Sequence, residues 1–267
     1  MYGNRFVHLN NKKLYHSTLV SGTILMNPKR KNTFIKILPL CIALPGDNGD
    51  EYDKDYYLSI KYAVNNGAKV INISTSKEFS FESKWIRKAI EYAEDHEVLI
   101  VTSASNNSKI IDEHENRIYP NDIDENGVPF SDNLIIVGAS SYHLDNKLKS
   151  SFSNYGKKQV DIFAPGEHIY TTSANSVSGY KYTGGTSFAS PLVAKIAAIL
   201  FSHYPELTVS QVKSCILESG ISYNLPTYKT KKRDSTNLIP FDQLSKTGKI
   251  ANAYNAFIKA DSISKAK

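Results

Sequence analysis

The chain has 267 residues, of which 41% are hydrophobic and 22% are charged, and its formal net charge is +6. This composition favours a folded chain with a substantial core and excludes global disorder. The densest basic run, KTKKR at residues 229–233, is interpreted as a solvated loop, with a nucleic-acid patch as the alternative.

Short apolar runs alternate with longer amphipathic runs through the first half of the chain. The apolar runs predict buried strands at 35–44, 68–74, 98–105 and 133–140. The amphipathic runs between them predict helices at 52–67 and 82–97, the second with Trp85 on its buried face. This alternation predicts an α/β fold, a doubly wound and mainly parallel sheet with helices on both faces.

The second half predicts a strand at 159–166, a hairpin from IYTTSA and GYKYTG, and helices at 186–204, 208–220 and 249–260. The helix at 186–204 is apolar nearly all round, so we expect it to be buried in the centre of the fold. Thr208 is the expected N-cap and Gly220 the expected C′ residue of the next helix. We find neither a repeat nor a linker and treat residues 1–267 as a single domain, with a long loop at 107–132.

Cys41 and Cys215 are the two cysteines of the chain. Each lies in an apolar segment, which predicts two buried thiols, with a single disulfide as the alternative. The sequence has no CxxC or HExxH motif and no apolar run of roughly 18 residues, so we predict neither a zinc site nor a membrane span. The first residues lack the apolar core of a signal peptide.

The segment GGTSFASP, Gly184 to Pro191, places a serine between small residues directly ahead of the long apolar helix. A nucleophilic serine needs such an unobstructed approach and a base that takes its proton. The segment resembles the nucleophile motif of the subtilases, the subtilisin-like serine proteases, which reads GTSMASP, with Phe188 in place of the methionine. The resemblance runs from about residue 15 to about residue 260. It implies a subtilisin-like fold with Ser187 as the nucleophile.

Two further segments resemble the family's motifs for the base and for the oxyanion donor. LYHSTLVSGTI at 14–24 is similar to the histidine motif HGTHVAGTI and implies His16 as the general base. VLIVTSASNN at 98–107 is similar to the strand that ends in the oxyanion asparagine, usually AAAGN, and implies Asn106 in that role. A surface histidine and a turn-forming asparagine are the alternative interpretations.

VINISTS at 70–76 resembles the strand edge, usually VINMSLG, that pairs with the substrate backbone in this family. Extended peptide added to such an edge gains main-chain hydrogen bonds, and side-chain pockets give selectivity. The resemblance implies substrate binding by Asn72, Ser74, Thr75, Ser76, Ser103, Ala104 and Ser105. Serine replaces the family's glycine at 17, 76 and 105, which predicts a narrow pocket for small or medium side chains.

The aspartate that this family places before its histidine is absent from the sequence. None of the fifteen residues before His16 is acidic, and the first acid is Asp47. Replacement by Asp47, Asp50 or Glu51 has no support in the sequence. The family's first strand region is missing with the aspartate. Two hypotheses stay open, an N-terminally truncated piece of a longer protease and a decayed, inactive relative.

The leading hypothesis is a serine endopeptidase that cleaves polypeptides through Ser187 and His16 and acts as a monomer. A non-catalytic peptide-binding module and a gene remnant that does not fold are the alternatives. The resemblance implies an extracytoplasmic location and allows structural calcium, for which we assign no ligands. We expect no other cofactor and no nucleic-acid or membrane partner.

Overall fold

The computed structural model describes residues 15–26, 35–42, 51–173, 176–230 and 235–266. The helices in these ranges are α1 (Tyr15–Leu25), α2 (Asp53–Asn65), α3 (Ser83–Asp95), α4 (Thr186–His203), α5 (Val209–Glu218) and α6 (Ala253–Lys265). The strands are β1 (Val70–Ile73), β2 (Leu99–Ser103), β3 (Leu134–Ser140), β4 (Ile162–Pro165), β5 (Ile169–Thr172), β6 (Tyr180–Thr183), β7 (Ile221–Ser222), β8 (Pro226–Tyr228), β9 (Leu238–Pro240) and β10 (Lys249–Ile250).

Six of these strands form one sheet in the order β1-β2-β3-β4-β10-β7. The first five run parallel to one another, and β7 pairs with β10 in the antiparallel direction. The pairs β5–β6 and β8–β9 are separate two-stranded hairpins. The predicted α/β fold with a mainly parallel sheet is therefore confirmed, and so is the predicted hairpin.

Alternate residues of the central strands pack on opposite faces of the sheet, because successive side chains of a strand point in opposite directions. Ile100 and Ile136 lie in a core cluster with residues of α2 and α3. Val101 and Val137 lie in a second cluster with residues of α4, α5 and α6. Helices thus cover both faces, as a doubly wound fold requires.

α4 is the predicted central helix, and its inner face is fully buried at Ala189, Val193 and Ala197. By length and mean hydropathy alone α4 could cross a membrane, but half of it is buried inside the chain. The core helix of a folded domain meets the same criterion. The burial of α4 against the sheet explains its apolar composition without a membrane.

The strand predicted at 35–44 is wrong for residues 35–42, which have no regular secondary structure. Leu38 and Leu40 are exposed, although Ile42 packs against the core cluster of α2 and α3. An apolar run becomes a strand only beside a pairing partner, and no described strand pairs with the outer edge of β1. Residues 43 and 44 lie outside the described residues.

Two burial predictions also need correction. Cys215 is buried as predicted, but Cys41 is exposed because its segment is not a buried strand, and no disulfide joins the two. Trp85 is 36% exposed rather than buried. Its ring packs edge-on against Tyr57, with ring centroids 4.8 Å apart, at the rim of the α2–α3 contact.

The end signals of α5 match the prediction. Thr208 is the N-cap, and its hydroxyl accepts from the Gln211 N–H at 3.2 Å, while the Gln211 side chain accepts from the Thr208 N–H at 3.0 Å. This reciprocal arrangement is a capping box. Gly220 follows the C-cap residue Ser219, as expected.

The long loop at 107–132 contains one short 3-10 turn at His114–Asn116. The single-domain interpretation of 1–267 stays a prediction.

α1 rests on β5 through a close contact and a buried hydrogen bond. The Thr171 hydroxyl donates to the Leu19 carbonyl at 2.7 Å. Gly22 approaches the strand so closely that a Cβ there would lie 2.5 Å from Thr171 Oγ1 and 2.8 Å from the backbone nitrogen of Thr172. β5 therefore sets the position of α1, the helix that carries His16.

Replacing Gly22 with alanine is expected to lower the free energy of unfolding. Alanine gains about 1 kcal/mol of helix propensity over glycine. Overpacking costs about 1–3 kcal/mol, and here part of the obstruction is backbone that cannot rotate away. Urea denaturation measures the net loss. Ser21→Ala on the same helix is the control, with a change below about 0.5 kcal/mol. Equal or greater stability of Gly22→Ala would contradict this packing of α1 on β5.

Candidate active site

Ser187 is the second residue of α4, where a sharp turn delivers the chain into the helix. The N-cap residue Gly185 has φ 145°, a conformation that residues with a side chain rarely adopt. Ser187 itself is partly exposed. The positive end of the helix dipole therefore lies beside its hydroxyl.

A proline inside α4 opens a hydrogen-bonding position at Ser187. Pro191 lies four residues after Ser187 and has no N–H, so the Ser187 carbonyl lacks its usual helical donor. The Ser74 hydroxyl donates to this carbonyl at 2.8 Å. In return, the Ser187 hydroxyl donates to the Ser74 carbonyl at 2.9 Å. This reciprocal pair joins the segment after β1 to the start of α4.

Asn106 lies in the segment that follows β2 and is bound to the residue before Ser187. Its Oδ1 accepts from the Thr186 N–H at 2.9 Å and from the Thr186 hydroxyl at 3.1 Å. Because the oxygen is engaged in this way, the Nδ2 group is the one that is left to donate to a bound oxyanion. Asn106 is exposed, so a substrate can reach it.

His16 lies near the start of α1 and contacts the residue after Ser187. Its ring centroid is 5.8 Å from that of Phe188. The side chain is accessible, yet desolvation by its neighbours lowers its pKa below the ordinary value of 6.5. A neutral imidazole at neutral pH suits a general base. Among the described residues, no hydrogen bond joins His16 to the Ser187 hydroxyl, which donates to Ser74 instead, and no carboxylate charge influences His16.

Two of the predicted substrate-binding residues near β1, Asn72 and Ser74, form a polar chain that ends at Ser187. Asn72 Nδ2 donates to the Ser74 hydroxyl at 2.8 Å. The Thr75 hydroxyl is 3.0 Å from the buried Tyr56 hydroxyl. Ser76 is partly exposed at the end of this segment. The side chains of Asn72 and Ser74 thus hold the segment against the start of α4.

The predicted residues near β2 differ in burial. Ser103 is 2% exposed and Ala104 is fully buried, so their side chains belong to the interior. Ser105 is partly exposed and has φ 73°, in the left-handed region that favours glycine. Its carbonyl accepts from the Asn154 N–H at 3.1 Å. The backbone therefore keeps the shape that glycine gives in the resembling motif, although serine occupies the position.

The structure also brings together three residues that the sequence analysis missed. Asn107 and Lys109 follow the oxyanion candidate, and both side chains bind the carboxylate of Glu78 in the segment after β1, Lys109 at 2.8 Å. We call these contacts the Glu78 bridge. The partners lie 29 and 31 residues from Glu78 along the chain. No periodicity or motif links such distant positions, so the fold alone reveals the contact.

Among the described residues, no group of three or more His, Cys, Asp or Glu side chains is placed to hold a metal ion. The allowance for structural calcium stays a prediction.

A model of the subtilase family matches residues 8–244 of the chain. Subtilisin DY of Bacillus licheniformis is 33% identical over 156 residues, which cover 58% of this chain and 50% of that protein. The cell wall-associated protease of Bacillus subtilis is 30% identical over 227 residues, 82% of this chain and 23% of that protein. Subtilisin-like protease 1 of Plasmodium falciparum is 30% identical over 254 residues, 86% of this chain and 34% of that protein. The chain thus spans half or less of these relatives.

Solved structures of proteases share the fold. A lanthipeptide protease matches with a TM-score of 0.67 and 23% identity over 91% of this chain and 74% of that one. The prenylagaramide maturation protease PagA matches with a TM-score of 0.59 and 25% identity over 82% of this chain and 71% of that one.

We expect the His16 imidazole to titrate below pH 6.5, as measured from its ring proton resonances by NMR. Desolvation disfavours the imidazolium, so the folded chain binds this proton less readily than the unfolded chain. His16 therefore contributes its full stabilisation above pH 6.5, the ordinary pKa. The free energy of unfolding loses this contribution as the pH falls from 6.5 through the lower pKa of the folded chain.

Phe188→Ala should move the pKa of His16 back towards its ordinary value, because the ring beside the imidazole is removed. Tyr254→Ala, which changes an exposed ring on α6, is the control and should leave it unaltered. A His16 pKa at or above 6.5 in the unmodified chain would contradict this account of its surroundings.

Proposed function

Because the chain belongs to the subtilase family, we propose that it is a serine endopeptidase that hydrolyses polypeptides through an acyl-enzyme at Ser187. The observation that carries the proposal is the meeting of three predicted residues at the start of α4. Asn106 binds the residue before Ser187, and His16 contacts the residue after it. Nucleophile, base and oxyanion donor are the parts that acyl transfer to serine requires.

In the proposed reaction the Ser187 hydroxyl leaves the Ser74 carbonyl and attacks the carbonyl carbon of the peptide bond. His16 takes the hydroxyl proton as general base and returns it to the leaving amine as general acid. Water then attacks the acyl-enzyme by the same route. A rotation about the Ser187 side-chain bond is enough to release the hydroxyl from Ser74, since the Ser187 backbone is held separately through its carbonyl.

The oxyanion of the tetrahedral intermediate would be held by Asn106 Nδ2 and by the Ser187 N–H at the N-terminus of α4. Both donors are fixed in advance, Asn106 by its bonds to Thr186 and the N–H by the helix. Such preorganised donors cost no rearrangement when charge develops. Removing one of them typically slows the reaction by about 10²–10³-fold.

We further propose that hydrolysis by this chain is slow. No carboxylate of the described residues orients His16. In subtilisin, loss of the triad aspartate costs about 10⁴-fold in turnover, whereas loss of the serine or histidine costs about 10⁶-fold. A chain with Ser187, His16 and Asn106 but no orienting carboxylate would keep trace hydrolysis above the uncatalysed rate. We also propose that Ser76 and Ser105 narrow the substrate pocket, so that the chain selects small or medium side chains.

A non-catalytic peptide-binding module is the second candidate, and the bond from the Ser187 hydroxyl to the Ser74 carbonyl favours it. In this state the hydroxyl is not paired with a base. Extended peptide can still pair with the backbone after β1, since main-chain hydrogen bonds need no nucleophile.

We propose a location outside the cytoplasm, in keeping with the name of the cell wall-associated relative. A monomeric state and the absence of nucleic-acid and membrane partners stay predictions.

A fluorophosphonate probe should label the folded chain at Ser187, as detected by intact mass and peptide mapping. The probe reacts only with an activated serine hydroxyl, so Ser187→Ala should show no labelling. Asn106→Leu removes one oxyanion donor and should slow labelling by about 10²–10³-fold. Asn126→Ala in the loop at 107–132 is the matched control and should label at the unmodified rate.

No labelling of a sample with a cooperative thermal transition would refute the catalytic proposal. Peptide binding to that sample, unchanged in Ser187→Ala, would then support the binding module. The absence of any cooperative transition would support the non-folding remnant.

A further inference from the structure

The Glu78 bridge spans the gap between the segments that follow β1 and β2. Asn107 Nδ2 donates to one carboxylate oxygen of Glu78, and the Lys109 ammonium pairs with the other at 2.8 Å. One acid therefore binds two side chains of the segment that carries Asn106.

The gap has a closed inner end. β1 and β2 remain paired as far as Ile73 and Thr102, where the Thr102 hydroxyl donates to the Ile73 carbonyl at 3.2 Å. Beyond this point, in the described part of the chain, the hydrogen bonds and the ion pair that join segments 74–78 and 103–109 are those of the Glu78 bridge. Ser76 and Ser105 lie in these two segments, and both are partly exposed. We call the space between the two segments the opening. Ser187 lies at its side, bound to Ser74.

Both sides of the opening are anchored in the backbone. Lys77, next to Glu78, exchanges two backbone hydrogen bonds with Tyr119, at 3.1 and 2.9 Å. On the other side, Asn154 Oδ1 accepts from the backbone N–H groups of Asn107 and Lys109 at 3.0 and 2.9 Å. The opening can therefore widen by rotation of the bridge side chains, without movement of either backbone.

The strength of the bridge suits a contact that a ligand can displace. The side chains of Lys109 and Glu78 are 39% and 43% exposed. Exposed ion pairs of this kind change an equilibrium by a few fold, and salt weakens them further. A large side chain can open the bridge at that modest cost, whereas a small one fits beneath it.

We propose that Glu78 is a specificity-determining residue, whose bridge to Asn107 and Lys109 restricts the opening that receives the substrate side chain preceding the cleaved bond. The inference rests on the proposed function, and it concerns which substrate side chains this chain accepts. Small uncharged side chains enter with the bridge intact. Large side chains enter only after they displace the Glu78 carboxylate from its partners.

The test compares two peptidyl phosphonates that differ only in the residue before the phosphorus, alanine in one and phenylalanine in the other. The quantity measured is the ratio of their labelling rates at Ser187, followed by intact mass. Glu78→Ala should raise the phenylalanine-to-alanine ratio about twofold to fivefold, the size expected for an exposed ion pair. Lys109→Ala should raise it in the same direction. Glu125→Ala, an exposed acid on another loop, is the control and should leave the ratio unchanged.

Salt gives a second readout. Raising ionic strength from about 0.05 to 1 M should raise the ratio in the unmodified chain, because it weakens the ion pair, and should leave the ratio of Glu78→Ala unaltered. An equal ratio in the unmodified chain and in Glu78→Ala would overturn the proposal.

Unreactive Ser187 would refute the proposed hydrolysis without deciding the role of Glu78. The two side chains are then compared as plain peptides, titrated by calorimetry into Ser187→Ala with and without Glu78→Ala. A shift of the affinity ratio towards phenylalanine supports the bridge as a restriction. An unchanged ratio, or no measurable affinity for either peptide, overturns it.

Discussion

The reciprocal hydrogen bonds between Ser74 and Ser187 are the constraint on which the arrangement of the site depends. In one of them the Ser74 hydroxyl binds the Ser187 carbonyl, which lacks its helical donor because Pro191 has no N–H. The bond from Thr186 to Asn106 fastens the same helical turn to the segment after β2. Ser187, the proposed nucleophile, is thus held from two adjacent strands, on elements anchored in the largest clusters of the core.

His16, the proposed base, is held by a smaller set of contacts than Ser187 is. α1 packs through Leu19 and Val20 against Phe188 of α4, and its carbonyls accept hydrogen bonds from the hydroxyls of Thr171 and Thr172 on β5. This cluster is separate from the two that cover the sheet. Elements with few buried contacts open at lower free energy than the central sheet does. The position of His16 therefore depends on this small cluster and on β5, whereas Asn106 is joined to the start of α4 by direct hydrogen bonds.

Periodicity predicted the strands and helices well wherever both faces of the sheet are buried. A continuous apolar run such as 98–105 then fits a buried strand, because both of its faces need apolar side chains. Periodicity failed at 35–44, since an apolar run carries no information on whether a pairing strand lies beside it. The motif around Ser187 predicted the turn into α4 and its neighbours. The Glu78 bridge could not be predicted, because it depends on where two diverging segments meet again. Burial of Ser103 and Ala104 likewise follows from the depth of β2 and not from their small size.

The order in which these residues are synthesised has a consequence for the cell that makes the chain. His16 leaves the ribosome first, the segments with Ser74 and Asn106 follow, and Ser187 comes after all of them. α4 must then insert against strands that were made much earlier. If Ser187 is the proposed nucleophile, no growing chain holds an assembled centre before α4 is complete. An unfinished copy therefore lacks the proposed hydrolytic activity during translation.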